Sequence, residues 1–346
     1  MDNNKAKKVL VTGITGFIGL HVAVQLLNNG YTVRGSMRNL DRQDSILKIL
    51  KSNCKDLEPD NIEFVKAELT NPEDWDVAMK NIDYVMHIAS PLPLDLQKNE
   101  DDLIIPAREG TLNVLQAAHQ NKVKRTVITS SIAAIGHGHN KSNRTYTEDD
   151  WTNLKGKKDI SPYIKSKTIA ESEAWKFVNQ KDVDMELAVI NPGYVLGPLL
   201  EQDYSDSAEI VRKLMAGDVP GLPRISFPLV DVRDVAEMHL WAMELPEAAG
   251  KRFVCVNESS WYKEIAMILH NEFPEYHKKI KTLVLPDFFI RLYGLFDKSV
   301  KTIKNELGRY RTYDNTRAVE LFNWTPRSNK DAIVSMAESM IRLGVV

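Results

Sequence analysis

The sequence predicts a doubly wound parallel α/β sheet with a smaller α/β lobe toward its C-terminal end. Three observations predict it. Strand-type runs and amphipathic helical runs alternate from residue 9 to residue 190, and repeated strand–helix units build a parallel sheet with helices on both faces. The first strand breaks into glycines 13, 16 and 19 just as the first helix begins. Past residue 197 the alternation loosens into a mixed stretch rich in proline and glycine. A chain of 346 residues with 43% hydrophobic content can bury a large core, in one large or two smaller domains.

Residues 9–12 are strong strand formers and make the first strand. Phe17, Ile18, Val22, Leu26 and Leu27 follow at helical spacing. Residues 31–37 read as strand two, 40–50 as a helix, 62–66 as strand three and 72–79 as a short helix. Strand four covers 84–89, a long helix 100–120 and strand five 125–130. A helix over 162–179 and strand six over 186–190 complete the alternation. Later helices are expected at 261–269 and 330–343, while 231–243 returns to the large domain. Asp231 and Asp234 read as a turn and helix cap. The division expected is 1–196 with 229–256, against a lobe of 197–228 and 257–346.

The glycines have separate physical jobs. Gly13 permits a tight turn, Gly16 has no side chain to hold a pyrophosphate away from backbone N–H groups, and Gly19 lets the helix lie close on the strand. The helix N-terminus offers free N–H donors and the positive end of its dipole. Gly13, Thr15, Gly16, Phe17 and Ile18 are therefore candidate dinucleotide-binding residues. Strand two bears on which dinucleotide. NAD sites usually carry an acid at its end for the ribose hydroxyls. Here the strand ends Gly35-Ser36-Met37-Arg38, and the planar fork of Arg38 suits a 2′-phosphate. Arg42 is a candidate helper, and Asp41 is a nearby acid that speaks for NAD. The cofactor expected is NADP(H). Glu68 and Leu69 end strand three near the adenine. Ile88, Ala89 and Ser90 end strand four at the ligand crevice, where Pro91 and Leu92 begin an apolar wall. His87, inside a hydrophobic strand, reads as a satisfied core histidine.

Composition narrows the class. The net charge is −2, from 45 basic and 47 acidic residues, so no basic surplus advertises nucleic acid or an anionic membrane. Cys54 and Cys255 form no CxxC pair and no disulfide framework. The polar N-terminal residues and the lack of an eighteen-residue apolar run predict no signal peptide and no spanning helix. A cytoplasmic protein is expected. Residues 283–296, broken by Pro286, Asp287 and Arg291, read as a packed helix rather than a membrane contact through Phe288, Phe289 and Leu292.

Chemistry concentrates in two segments. Strand five ends with Thr129, Ser130 and Ser131, and the next helix carries Tyr163 and Lys167. Tyr163 and Lys167 share a helix face one turn apart. Of the eleven tyrosines, only Tyr163 has lysine four residues later. An ammonium near a phenol is expected to lower its pKa and so to help it pass a proton. No metal-ligand cluster appears; His137 and His139 read as part of a mobile loop near the site.

The segment TGITGFIG, together with this serine, tyrosine and lysine, resembles the extended short-chain dehydrogenase/reductase family, whose dinucleotide fold is the Rossmann fold. The resemblance implies that Ser131 bonds the substrate carbonyl, Tyr163 donates the proton, and Lys167 holds the nicotinamide ribose. Ser131 is preferred because the family's serine stands five residues before the glycine that is here Gly136; Ser130 then faces the cofactor or the other side of the strand. Residues 191–198, NPGYVLGP, resemble the NPxxVxGP segment of the dihydroflavonol reductase-like branch. That implies Pro192, Gly193 and Val195 as cofactor-loop residues. Tyr194 reaches either the nicotinamide pocket or the core. Ile132 and Tyr194 join Pro91 and Leu92 around the substrate. The likeness extends through 102–118, 231–243 and 314–327. Within the branch the chain is most similar to reductases of the methylglyoxal-reductase type. Gly136 replaces the asparagine of flavonoid reductases, and ISPYIKSK replaces the NWYCYGK of cinnamoyl-CoA reductases.

The function so implied is NADPH-dependent reduction of an aldehyde or ketone to an alcohol, by a monomer or homodimer acting on a small carbonyl compound. A 3β-hydroxysteroid or sugar dehydrogenase/epimerase of the same superfamily is one alternative. A non-catalytic NADP-binding regulator is another, because fold alone does not imply chemistry.

Overall fold

The structure is a computed structural model that describes residues 6–91, 99–139, 144–156, 159–293 and 304–346. Strands β1 (Lys8–Thr12), β2 (Thr32–Met37), β3 (Ile62–Lys66), β4 (Tyr84–His87) and β5 (Arg125–Thr129) come first. A two-residue strand, β6 (Thr145–Tyr146), precedes β7 (Glu186–Pro192), and β8 (Tyr194–Leu196) and β9 (Ser226–Asp231) precede β10 (Lys251–Cys255). Seven of them form one sheet in the order β10-β7-β5-β4-β1-β2-β3. Every neighbouring pair is parallel. This is the doubly wound arrangement, with its crevice outside the carboxyl ends of the strands.

Alternation along the strands builds two cores. Val9 and Val11 of β1 pack on one side, with α1 (Phe17–Asn28). Leu10 packs on the other, with α3 (Pro72–Ala78) and α4 (Asp101–Gln120), which follow α2 (Gln43–Asn53) in the chain. Successive strand residues point to opposite faces, and both faces are covered, so the strands read as apolar runs. On the first side α1 also meets α7 (Val232–Glu244), which comes after α5 (Pro162–Val178) and α6 (Glu209–Ala216). Arg125 is 1% exposed within this structure. Its Nη1 donates to the carbonyls of Ala242, Met243 and Leu245, at 2.9, 3.1 and 2.5 Å, closing the C-terminus of α7.

Element ends differ from expectation for local reasons. Strand β4 stops at His87 because the Thr12 hydroxyl takes the N–H groups of Ile88 and Ala89, each at 3.0 Å. Strand β7 runs on to Pro192 because β10 pairs beside it as far as Cys255; β10 itself was not resolved as a strand from the sequence. The helix over 40–50 begins as a tight turn at Leu40–Arg42 and is α-helical only from Gln43. Helix α5 starts cleanly at Pro162, with Ser161 as its cap accepting from the Ile164 N–H at 3.3 Å.

A second sheet has the order β11 (Glu258–Trp261), β9, β8, with β8 parallel to β9 and β11 antiparallel to it. β8 thus leaves the central sheet two residues after β7 ends. A third, two-stranded sheet pairs β12 (Thr312–Tyr313) with β6. Around these lie α8 (Tyr262–Glu272), α9 (Asp287–Tyr293), α10 (Thr316–Phe322) and α11 (Asn329–Arg342). Asp231 caps α7 by accepting the Arg233 N–H at 2.8 Å. Asp234 does not cap; it accepts the Arg327 N–H at 2.8 Å and pairs with its guanidinium. Helix α9 packs as expected through Ile290, 8% exposed in the main core, but leaves Phe288 and Phe289 68% and 57% exposed. No described helix is long and apolar enough to cross a membrane.

Candidate active site

The turn after β1 is shaped for close approach of backbone to ligand. Gly13 has φ +67°, where a side chain brings strain, and a Cβ there would stand 3.0 Å from the Ala89 Cα. A Cβ on Gly19 would stand 2.2 Å from the Gly13 carbonyl oxygen. Helix α1 begins after Gly16 with no side-chain cap and no acid in its first turn. Its first N–H groups and its positive dipole end are therefore available to an anion. Thr15 and Ile18 are half-buried, Gly16 is exposed and Phe17 is buried. These residues fit a dinucleotide pyrophosphate.

At the end of β2, Arg38 is exposed and has no ion-pair partner among the described residues. Asp41 is tied to Asn39, whose Nδ2 donates to it at 2.7 Å. Arg42 is held by Glu201 at 2.6 Å and Asp203 at 3.2 Å, so any helper role competes with two carboxylates. Glu68 folds back to accept the Leu69 N–H at 3.2 Å. The Leu69 side chain lies against Gly110.

His87 is the satisfied core histidine expected. The Thr12 hydroxyl, already accepting two N–H groups, lies 3.1 Å from His87 Nδ1 and donates to it. His87 Nε2 then carries the proton and faces Thr111 Oγ1 at 3.4 Å. Burial drives its pKa down to about 3.

Ser131, Tyr163 and Lys167 come together. Ser131 caps the turn at Ile132–Ala134, its Oγ accepting from the Ala133 N–H at 3.1 Å, and it hydrogen-bonds Tyr163. Lys167 Nζ lies 5.9 Å from the centre of the Tyr163 ring. One electrostatic expectation fails. Burial raises the Tyr163 pKa above its usual 10, against a smaller downward pull from the Ser131 hydrogen bond. The ammonium lies over the ring, and it is not among the groups that offset that burial. Lys167 is itself lowered to about 8 by burial, with Glu171 opposing the fall.

Ser130 turns to Glu171. Its hydroxyl donates to Glu171 Oε2 at 2.5 Å, and both residues line the small cavity that Lys167 lines. Ser90 and Ala89 line that cavity too. Pro192 is buried at the end of β7. Gly193 permits contact with β9, since a Cβ there would lie 2.4 Å from the Pro228 carbonyl oxygen. Val195 is a core residue of β8. Tyr194 is 40% exposed, its ring edge-on to Phe227 at 5.0 Å, so it is not a core residue. Ile132 is buried beside Ile135, Tyr146 and Tyr313. Pro91 is half-buried, and Leu92 lies outside the described residues. A Cβ at Gly136 would meet the Tyr313 hydroxyl at 2.5 Å, so glycine there makes room for a tyrosine delivered by β12.

His137 is anchored rather than in a loose loop. It lies 3.8 Å from Asp159, and burial lowers its pKa. His137, Asp159 and Glu306 bring three potential ligand atoms within 4.8 Å, but Arg309 and Arg311 already pair with Asp159 and Glu306. His139 Nε2 meets the Trp151 carbonyl at 3.0 Å. Cys54 and Cys255 are free thiols whose pKa values burial raises.

Sequence reasoning missed Glu171, Asn191 and Arg252, which meet beneath the site. Asn191 Nδ2 donates to Glu171 at 2.8 Å and to the Ser131 carbonyl at 3.1 Å. Arg252 pairs with the same carboxylate. Helical spacing from Lys167 would have found Glu171. Only the register of β10 brings Arg252 there.

The fold and this serine, tyrosine and lysine define a Rossmann-type short-chain dehydrogenase/reductase of the extended kind. More particularly, the chain belongs to the NAD dependent epimerase/dehydratase family, whose model matches residues 9–255. A Schizosaccharomyces pombe protein named as an uncharacterized oxidoreductase is 35% identical over 316 residues, covering 85% of this chain and 91% of its own. Cinnamoyl-CoA reductase CAD2 of Medicago truncatula is 34% identical, over 79% of this chain and 83% of its own. Among solved structures, yeast methylglyoxal/isovaleraldehyde reductase Gre2 complexed with NADPH aligns with a TM-score of 0.82 at 27% identity, covering 98% of this chain and 99% of that one. Identity therefore does not set cinnamoyl-CoA reductases apart as distant relatives.

Proposed function

We propose that the protein reduces an aldehyde or ketone to the alcohol with NADPH, Tyr163 acting as general acid. One observation carries the reading: Ser131 and Tyr163 meet, and Lys167, over the Tyr163 ring, lines a cavity with Ala89, the residue against which Gly13 turns. The relatives named as reductases support it. Bound NADPH would supply the hydride. Ser131 would hold the carbonyl oxygen and Tyr163 would deliver the proton to it. Burial keeps the phenol protonated at neutral pH, so the acid is loaded for the reductive direction. The Lys167 ammonium would stabilise the phenolate left after transfer. Arg38 favours NADPH although the family is named for NAD, and the NADPH of the Gre2 complex supports that preference. In this reading residues 1–196 and 229–256 bind the cofactor, and 197–228 with 257–346 form the substrate lobe. A cytoplasmic monomer or homodimer completes it.

The test is initial rates of NADPH and NADH oxidation with a panel of aldehydes, diketones, keto esters and steroids. Turnover with NADPH and little with NADH is expected. Tyr163→Phe should bind NADPH as before and lose turnover by about a hundredfold or more. Full turnover in that variant would sink the mechanism.

A further inference from the structure

We propose that Glu171 is a positioning residue for Lys167: a buried carboxylate that holds the lysine as an ammonium from across a small polar cavity. Glu171 follows Lys167 on α5 by the same four residues that separate Lys167 from Tyr163, so all three lie along one face. It is 1% exposed. It shares with Lys167 a cavity of about 20 Å³, bounded also by His87, Ser90, Thr111 and Thr129. That is room for about one water molecule.

The carboxylate makes no direct bond to Lys167, because other partners claim it. Oε2 accepts from Ser130 at 2.5 Å and Asn191 at 2.8 Å. Oε1 accepts from Arg252 and, at 3.3 Å, from Trp175 Nε1. Partners from the residue after β5, from β7, from β10 and from α5 itself fix its place. A charge held so firmly acts through its field, which is strong where water is scarce. The other titratable groups facing Lys167 are Tyr163 on the same helix and His87 from β4. His239 of α7 stands behind Thr129, 2.7 Å from its hydroxyl. Burial holds both histidines neutral, at about 3 and about 4. Arg252 balances Glu171 from β10, where it also bonds the carbonyls of Glu148 and Asp150. Among these groups the carboxylate is the one that supports positive charge on Lys167.

The inference rests on the proposed reaction only for what the ammonium is for. Its test therefore reads Lys167 directly, by carbon-13 NMR of the lysine ε-carbons in the intact protein, with the signal assigned through Lys167→Arg. Glu171→Gln should lower the Lys167 titration midpoint by about one pH unit or more. Glu171→Asp, with the charge one methylene further back, should lower it less. The alkaline limb of kcat should move down by the same amount. An unchanged midpoint in Glu171→Gln overturns the proposal and leaves Glu171 as a structural ion pair. If that variant does not fold, an unchanged midpoint in Glu171→Asp decides likewise. A shifted midpoint in a protein that reduces no carbonyl would sink the reductase reading and leave this one standing.

Discussion

Arg38 ends β2 with its guanidinium exposed and unpaired among the described residues, and a free fork can take a phosphate through two parallel bonds. Arg38→Ser should raise the KM for NADPH by about tenfold or more, the worth of a charge-assisted hydrogen bond, and leave the KM for NADH within about twofold. Steady-state kinetics with both cofactors would show it, and equal losses would mean that Arg38 does not read the phosphate. At this scale local chemistry was legible. The Tyr163–Lys167 spacing and the missing acid after β2 could be read directly from neighbours in the chain. What escaped was set by distant partners. Arg42 looked like a helper until Glu201 and Asp203, 159 and 161 positions away, took its guanidinium. The direction of Ser130 depended on Glu171, and the Tyr163 pKa on how much burial the fold imposes.

Helix α5 presents Tyr163, Lys167 and Glu171, and its start sets their height in the crevice. Ser161 caps it through the Ile164 N–H. Ser161→Ala should cost about 1 kcal/mol in urea unfolding, with a proportionate loss of turnover if the first turn frays around Tyr163. An unchanged midpoint would mean that Pro162 alone fixes the start. Element identity was legible wherever apolar residues kept a clean period. Boundaries were not, because side chains drew them: the Thr12 hydroxyl ended β4, and β10 lengthened β7. The small sheets of β6 with β12 and β8 with β9 and β11 are too short and too far apart in sequence for periodicity to show.

For the whole molecule, buried histidines set the response to acid. His21, His87 and His239 have pKa values lowered by burial to about 4, about 3 and about 4, from 6.5. Between 6.5 and those values the unfolded chain binds more protons than the folded one. The histidines' contribution is therefore full above 6.5 and falls as pH drops toward 4, by about 1.4 kcal/mol per unit for each histidine. Glu148, Glu201 and Asp234, raised by burial, oppose this in part. Urea midpoints at pH 7 and pH 5 should differ clearly, and equal midpoints would contradict the sign. The doubly wound plan was legible because strand and helix alternate from β1 to β7, which covers all of the central sheet but β10. The ties that lock it, Asp234 to Arg327 among them, join residues 93 positions apart and leave no local trace.

Arg125 also gives the chain a timetable. Its side chain is buried from β5, yet one of the carbonyls that receive it, Leu245, lies 120 positions further on. The last strand of the central sheet, β10, follows only at Lys251–Cys255. At a synthesis rate of about 5–20 residues per second, the nascent chain carries Arg125 without its carbonyl partners and β7 with an open edge for several seconds. During that interval the unpaired edge is a template for any other extended chain. The period of greatest hazard is thus written into the distance between one arginine and the helix end that it closes.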